Sequence, residues 1–210
     1  MRDTLARFGL DVGDEERFRN RRKFLKYLGG GREILQNLVR ASLPRKRNIR
    51  RALTETYLES ACLYPGFAEF INDAIAHPAI HCGVLSRNFA RDPGPTIRKV
   101  LAASGVLETE LDFVLPIPAG SRKTDILQGM RASRYDRQIL GADEVGDFHA
   151  ATEAGYDCVM ATYGFDNRQR LLTHGAVPES VLFDDPAEVI AALRAQLGLR
   201  PEPAYALRTA

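Results

Sequence analysis

From residue 66 onward, apolar residues alternate between two arrangements: short unbroken runs, and longer stretches in which they recur at the three-to-four spacing of one helix face. Short apolar runs read as buried strands and the recurring pattern as amphipathic helices. The resulting series is a helix at Phe67 to Ala76, a strand at Ile80 to Leu85, a helix at Thr96 to Ala103 and a strand at Leu111 to Ile117. It continues with a helix near Lys123 to Arg131, a strand at Gln138 to Ala142, a helix at Phe148 to Ala154 and a strand at Asp157 to Ala161. A helix near Asn167 to His174, a short strand at Ser180 to Phe183 and a helix from Pro186 to Leu197 end it. Strict helix and strand alternation predicts an α/β fold, a parallel Rossmann-like sheet with helices on both faces.

The chain before residue 61 has only the helical spacing. Phe18, Phe24, Leu25 and Leu28 mark a first helix stopped by Gly29-Gly30-Gly31, and Ile34, Leu35, Leu38 and Val39 a second ending before Pro44. Arg45 to Leu63 reads as a third. The pattern therefore divides the chain into a helical domain at 1–60, an α/β core at 61–198 and a loose tail at 199–210.

Charge follows the same division. Residues 1–51 carry 15 Lys+Arg against 6 Asp+Glu, and the rest 14 against 21, under an overall net charge of only +2. A basic helical segment can meet nucleic acid, an anionic substrate or the acidic remainder of its own chain. The sparse aromatics among those basic residues, Phe18, Phe24 and Tyr27, argue against nucleic acid. With 45% hydrophobic and 27% charged residues, the chain suits a globular protein with one good core. It has no apolar stretch of transmembrane length and an N-terminus without the apolar centre of a signal peptide, so the expected location is cytoplasmic, away from membranes. The three cysteines, Cys62, Cys82 and Cys158, are scattered, which suits reduced thiols.

Candidate chemistry concentrates in ILGADEVGDFHAATEAG, Ile139 to Gly155, where an apolar run ends in Asp143, Glu144 and Asp147 and a small-residue helix follows. Ligands of parallel sheets gather beyond the carboxyl ends of the strands. Three acids so close repel one another unless a cation joins them, and oxygen ligands on a loop suit Mg²⁺; a solvated acidic turn whose Asp147 caps the next helix is the alternative. Other motifs fail. AGSRKTD has Arg122 where a phosphate loop needs glycine, Ser86 lacks the G-x-S-x-G glycines, and H-E-x-x-H and C-x-x-C are absent. His77, His81, His149 and His174 are given no role.

In order, YPGFAEFINDAI, CGVLSRN, SRKTDIL, GADEVGDFHAATEAG and YGFDNRQRLLTHGAVPESVLFDDPAEVIAAL resemble the successive motifs of the haloacid dehalogenase-like hydrolases, in particular phosphatases of the phosphoglycolate phosphatase type. The resemblance implies a helical cap at 1–60 over a core that hydrolyses a small phosphate ester through an aspartyl-phosphate. Ser86 and Lys123 would then be catalytic, stabilising the phosphoryl group; Ser86, Arg87 and Asn88 would bind substrate; and Asp143, Glu144 and Asp147 would hold Mg²⁺. Ser86, Lys123, Asp143 and Asp147 should share one cleft.

The family's opening motif, an apolar strand ending in D-x-D-G-T that supplies the nucleophile and general acid, has no counterpart here. Asp11 and Asp14 follow a helical stretch and do not replace it. The missing strand is the central one, between the strand ending at Ser86 and the strand ending at Ala142. Two half-sheets with apolar edges are therefore expected, together with weak or absent Mg²⁺ binding and no turnover as the chain stands. The alternative is a non-catalytic relative that binds a phosphorylated ligand or a protein.

Overall fold

The computed structural model describes residues 51–52, 54–87, 90–118, 120–131 and 135–200. The first two expected helices, most of the expected cap and nearly all of the tail lie outside them, as does Asn88. The described chain is α/β, and every strand pairing is parallel. It forms two compact units that interleave in sequence: Met1–Leu63 with His81–Ser121, and Tyr64–Ile80 with Arg122–Ala210. The boundary falls within the span 61–198 that the sequence pattern assigns to one core.

The first unit is built round a single crossover. Strand β1 (Gly83–Ser86) leads through helix α2 (Pro93–Ala103) to strand β2 (Phe113–Pro116), with Gly83 opposite Phe113 and Ser86 opposite Pro116. Helix α2 starts before the predicted Thr96 because Pro93, its ring already set for the first helical turn, follows Asp92, whose carbonyl accepts from both Thr96 N–H and the Thr96 hydroxyl. It ends in a left-handed Gly105 at φ 87°, which turns the chain so that Val106 N–H reaches back to Leu101 O. Ile97, Val100 and Leu101 of the helix are buried with Val106, Leu111 and Ile117 of the same unit. Gly83 has no room for a side chain, since a Cβ there would stand 2.6 Å from the Phe113 ring. Residues 54–60 are helical and are tied to this unit by Arg91 N–H donating to Thr54 Oγ1 and Leu63 N–H to Ser104 Oγ.

The second unit opens with α1 (Phe67–Ala76) and then runs α3 (Lys123–Met130), β3 (Ile139–Ala142), α4 (Val145–Ala154), β4 (Asp157–Ala161), α5 (Arg168–Gly175), a 3₁₀ turn (Glu179–Val181), β5 (Leu182–Phe183) and α6 (Pro186–Leu197). Its strands lie in the order β3-β4-β5. Alternation along β4 turns Val159 to one face, into a cluster with Phe70, Val189, Ile190 and Leu193 from α1 and α6. Cys158 and Met160 face the other way, and burial, then Asp157 and Asp147, push the Cys158 thiol up to about 11. Arg194, buried on α6, reaches Asp73 and lies over the Phe70 ring, so α1 and α6 are joined by charge as well as packing.

Strand β4 keeps its predicted bounds, whereas the other four strands are shorter than the apolar runs that predict them, because pairing lasts only as long as the partner's register allows. The run at Ser180 to Phe183 is a 3₁₀ turn followed by two paired residues. The described strands fall in two small sheets, one of β1 with β2 and one in the order β3-β4-β5.

Candidate functional site

The carboxyl end of β3 carries the acidic residues, and the structure gives them separate tasks. Asp143 follows the strand directly, and its Oδ2 accepts the Phe165 N–H at 2.7 Å while its carbonyl accepts the Asp166 N–H. Gly164 makes this possible, since a Cβ there would occupy the space of the Asp143 carboxylate. Asp143 thus fastens the loop after β4 to the end of β3.

Helix α4 begins at Val145, three residues before the predicted Phe148, which places Asp147 in its first turn and makes Glu144 the capping position. Asp147 is therefore not the cap of the alternative reading. The reason lies 21 residues away: Asp166 Oδ2 accepts the Val145 N–H at 2.9 Å and serves the exposed start of the helix from outside. Asp166 is itself buried, with Arg170 Nε 2.8 Å from its other oxygen, off the line of a hydrogen bond. Asp166 is the residue of this region that sequence reasoning misses. Its only signal is its place before Asn167, which caps α5 by accepting the Arg170 N–H.

Asp147 faces α3. Its Oδ1 lies 2.6 Å from Lys123 Nζ, and the two side chains are only 17% and 14% exposed. Lys123 opens α3 and Asp147 opens α4, so the pair brings together the starts of two helices. Arg122 and Thr124, on either side of Lys123, both donate to Glu153 farther along α4, fixing the helices against each other. Burying an ammonium or a carboxylate alone is costly, and here the two charges meet at 2.6 Å.

The remaining predicted residues are placed differently. Ser86 ends β1 and Arg87 follows it, and both belong to the first unit, whereas Lys123, Asp143, Glu144 and Asp147 belong to the second. Arg87 Nη2 donates to the Ser121 carbonyl at 2.8 Å, and its Nε is buried with no acceptor. Among the described residues, no group of three His, Cys, Asp or Glu side chains is gathered to hold a metal ion. Of Asp143, Glu144 and Asp147, the carboxylates the resemblance would assign to Mg²⁺, Asp143 accepts the Phe165 N–H and Asp147 lies against Lys123.

Tyr163, at the end of β4, meets Tyr64 edge to face at 4.9 Å. Burial, then Tyr64, Asp185 and Asp143, push its hydroxyl up to about 12, so it remains a neutral donor. A polar hollow of about 370 Å³ among Arg131, Tyr135, Arg137, Gln138 and Asp157 opens at the amino ends of β3 and β4, away from the acidic residues. Arg137 is spent there on Asp157 and on the Gln196 carbonyl.

The chain matches no family model, no curated protein and no solved structure. What is defined is the class, an α/β protein with small parallel sheets, and no described helix is long and apolar enough to cross a membrane.

Proposed function

We propose that Lys123 and Asp147 are the charge-stabilising part of a phosphate-ester site of the haloacid dehalogenase-like kind, in a chain whose 210 residues contain no D-x-D-G-T motif. The observation that carries the reading is the Lys123–Asp147 pair at 2.6 Å, mostly shielded from water. A lysine fixed at the start of a helix, in the unit whose acidic strand end is the expected ligand position of a parallel sheet, is suited to neutralise the oxygens of a phosphoryl group. Asp147 holds the ammonium in place and Asp143 fixes the adjoining loop. No step is routed through a metal ion.

Positioning without an attacking carboxylate stabilises a phosphoryl group and does not transfer it. The 210-residue chain is accordingly a binder of small phosphorylated molecules. The engagement of Asp143 with the main chain favours this non-catalytic reading, because a carboxylate spent on Phe165 N–H is not directed at a substrate.

Titration of the full chain with inorganic phosphate tests it. Saturable binding that falls about tenfold or more in Lys123→Ala, and in the paired change Lys123→Met with Asp147→Leu, is expected. The paired change removes both charges and so spares the fold. Binding unchanged in both variants, or no saturable binding by the wild type, overturns the reading.

A further inference from the structure

We infer that Asp166, anchored by Arg170, is a positioning residue for the Lys123–Asp147 pair: its carboxylate fixes the first turn of α4 and so holds the Asp147 carboxylate against Lys123. The effect on binding rests on the phosphate reading above, whereas the placement itself is measurable without a ligand.

Asp147 is the third residue of α4, in the turn whose amide groups have no partner within the helix. That turn needs an acceptor from outside, and Glu144, at the capping position, supplies none from its side chain. Asp166 Oδ2 does so, accepting the Val145 N–H at 2.9 Å from the loop after β4. An α-helix turns by about 100° per residue, so a first turn that slipped by one residue would swing the Asp147 side chain away from α3. Lys123, its side chain 14% exposed, would lose the carboxylate that now stands 2.6 Å from its Nζ.

Asp166 can set that start because it is itself held in place. Its N–H donates to the Asp143 carbonyl, and the neighbouring Phe165 N–H donates to Asp143 Oδ2 at 2.7 Å. The exchange is reciprocal: a carboxylate after β3 takes an amide after β4, and a carboxylate after β4 takes an amide after β3. Arg170, in the first turn of α5, adds a further restraint. Its Nε stands 2.8 Å from Asp166 Oδ1, and both atoms are buried without a hydrogen-bond partner, so the contact is one of charge. A lone carboxylate only 5% exposed is costly; the guanidinium offsets its charge and leaves Oδ2 for the start of α4, where the helix dipole also favours an anion.

Two paired changes in the full chain separate the acceptor from the charges. Asp166→Asn with Arg170→Met removes both charges and keeps a side-chain oxygen for the Val145 N–H; Asp166→Leu with Arg170→Met removes the oxygen as well. Each is read by the NMR signal of the Lys123 side-chain ammonium, assigned by its loss in Lys123→Arg, and by titration with inorganic phosphate. The expected result is a Lys123 signal and a phosphate affinity close to wild type in the Asn pair, and in the Leu pair a displaced signal with affinity about fivefold or more lower. Val189→Ala, a cavity in the cluster of α1 and α6, destabilises from another part of the unit and should leave the Lys123 signal in place. A Lys123 signal alike in the two pairs, or displaced as far by Val189→Ala, overturns the inference. A displaced signal with phosphate affinity unchanged supports Asp166 as the positioning residue and overturns the reading of Lys123 as the phosphate ligand. Without saturable phosphate binding by the wild type, the phosphate reading falls and the Lys123 signal alone decides for or against Asp166.

Discussion

Strands β4 and β1 are both short and largely apolar, yet they are buried to different degrees. Cys158, Val159 and Met160 of β4 are 7%, 0% and 0% exposed, whereas all four residues of β1 are only half-buried. The difference is one of neighbours. Strand β4 has β3 on one edge and β5 on the other, with α1 and α6 closing over Val159; among the described residues β1 pairs with β2 alone. In a parallel sheet, burial follows from position in the strand order more than from composition. A two-stranded sheet has no interior strand, and isolated pairs of strands are marginal.

The largest expected effect tests that contrast directly. Met160→Ala empties a fully buried site and should lower stability by about 2–5 kcal/mol, whereas Leu85→Ala, in half-buried β1, should cost well under half as much. Denaturant unfolding of both variants measures the difference. Equal losses would show that β1 is as much an interior strand as β4.

A second perturbation keeps to the three-stranded side. Lys123→Met leaves Asp147 buried without its cation and should cost about 3 kcal/mol; adding Asp147→Leu should recover most of it, because removing both charges of a buried pair is close to neutral. A double variant no more stable than the single one would mean that the ion pair is not what joins α3 to α4.

The smallest effect belongs to the two-stranded side. Asp112 accepts from His81 Nδ1 and from Cys82 N–H at the amino ends of β1 and β2, and the His81 hydrogen bond holds its carboxyl below the usual range. A carboxyl depressed in the folded state contributes stability that is complete above its unfolded value of about 4 and is lost as pH falls through the folded value. Its solvent exposure keeps that contribution below about 1 kcal/mol. Melting of Asp112→Asn should therefore be lower than wild type at neutral pH, and the gap should close on acidification. A gap that widened in acid would contradict the sign.

Much of the architecture is legible in the sequence. The periodicity places α1, β4 and α6 at their observed bounds, and the apolar runs locate every strand to within a few residues. The errors at the ends have long-range causes. Where α4 begins is decided by Asp166, beyond an intervening strand, and no local pattern carries that information. How long a strand lasts is decided by its partner's register. At the site, residue type announces the acids but not their partners: the spacing of Asp143 and Asp147 cannot reveal that one carboxylate is spent on a loop N–H and the other on Lys123, since both partners come from other elements of the fold.

The measurement that bears most directly on the central claim is phosphate release from a generic phosphomonoester, with Mg²⁺ supplied, by the 210-residue chain and by the same chain carrying a fused leading strand that ends in D-x-D-G-T. The account predicts no turnover above background from the first, and turnover from the second that Lys123→Ala lowers by about 10²- to 10³-fold. Robust turnover by the unextended chain, abolished by Lys123→Ala, would show that a residue already present attacks the phosphorus. A folded but inert fusion would remove the phosphatase ancestry on which the proposed function rests.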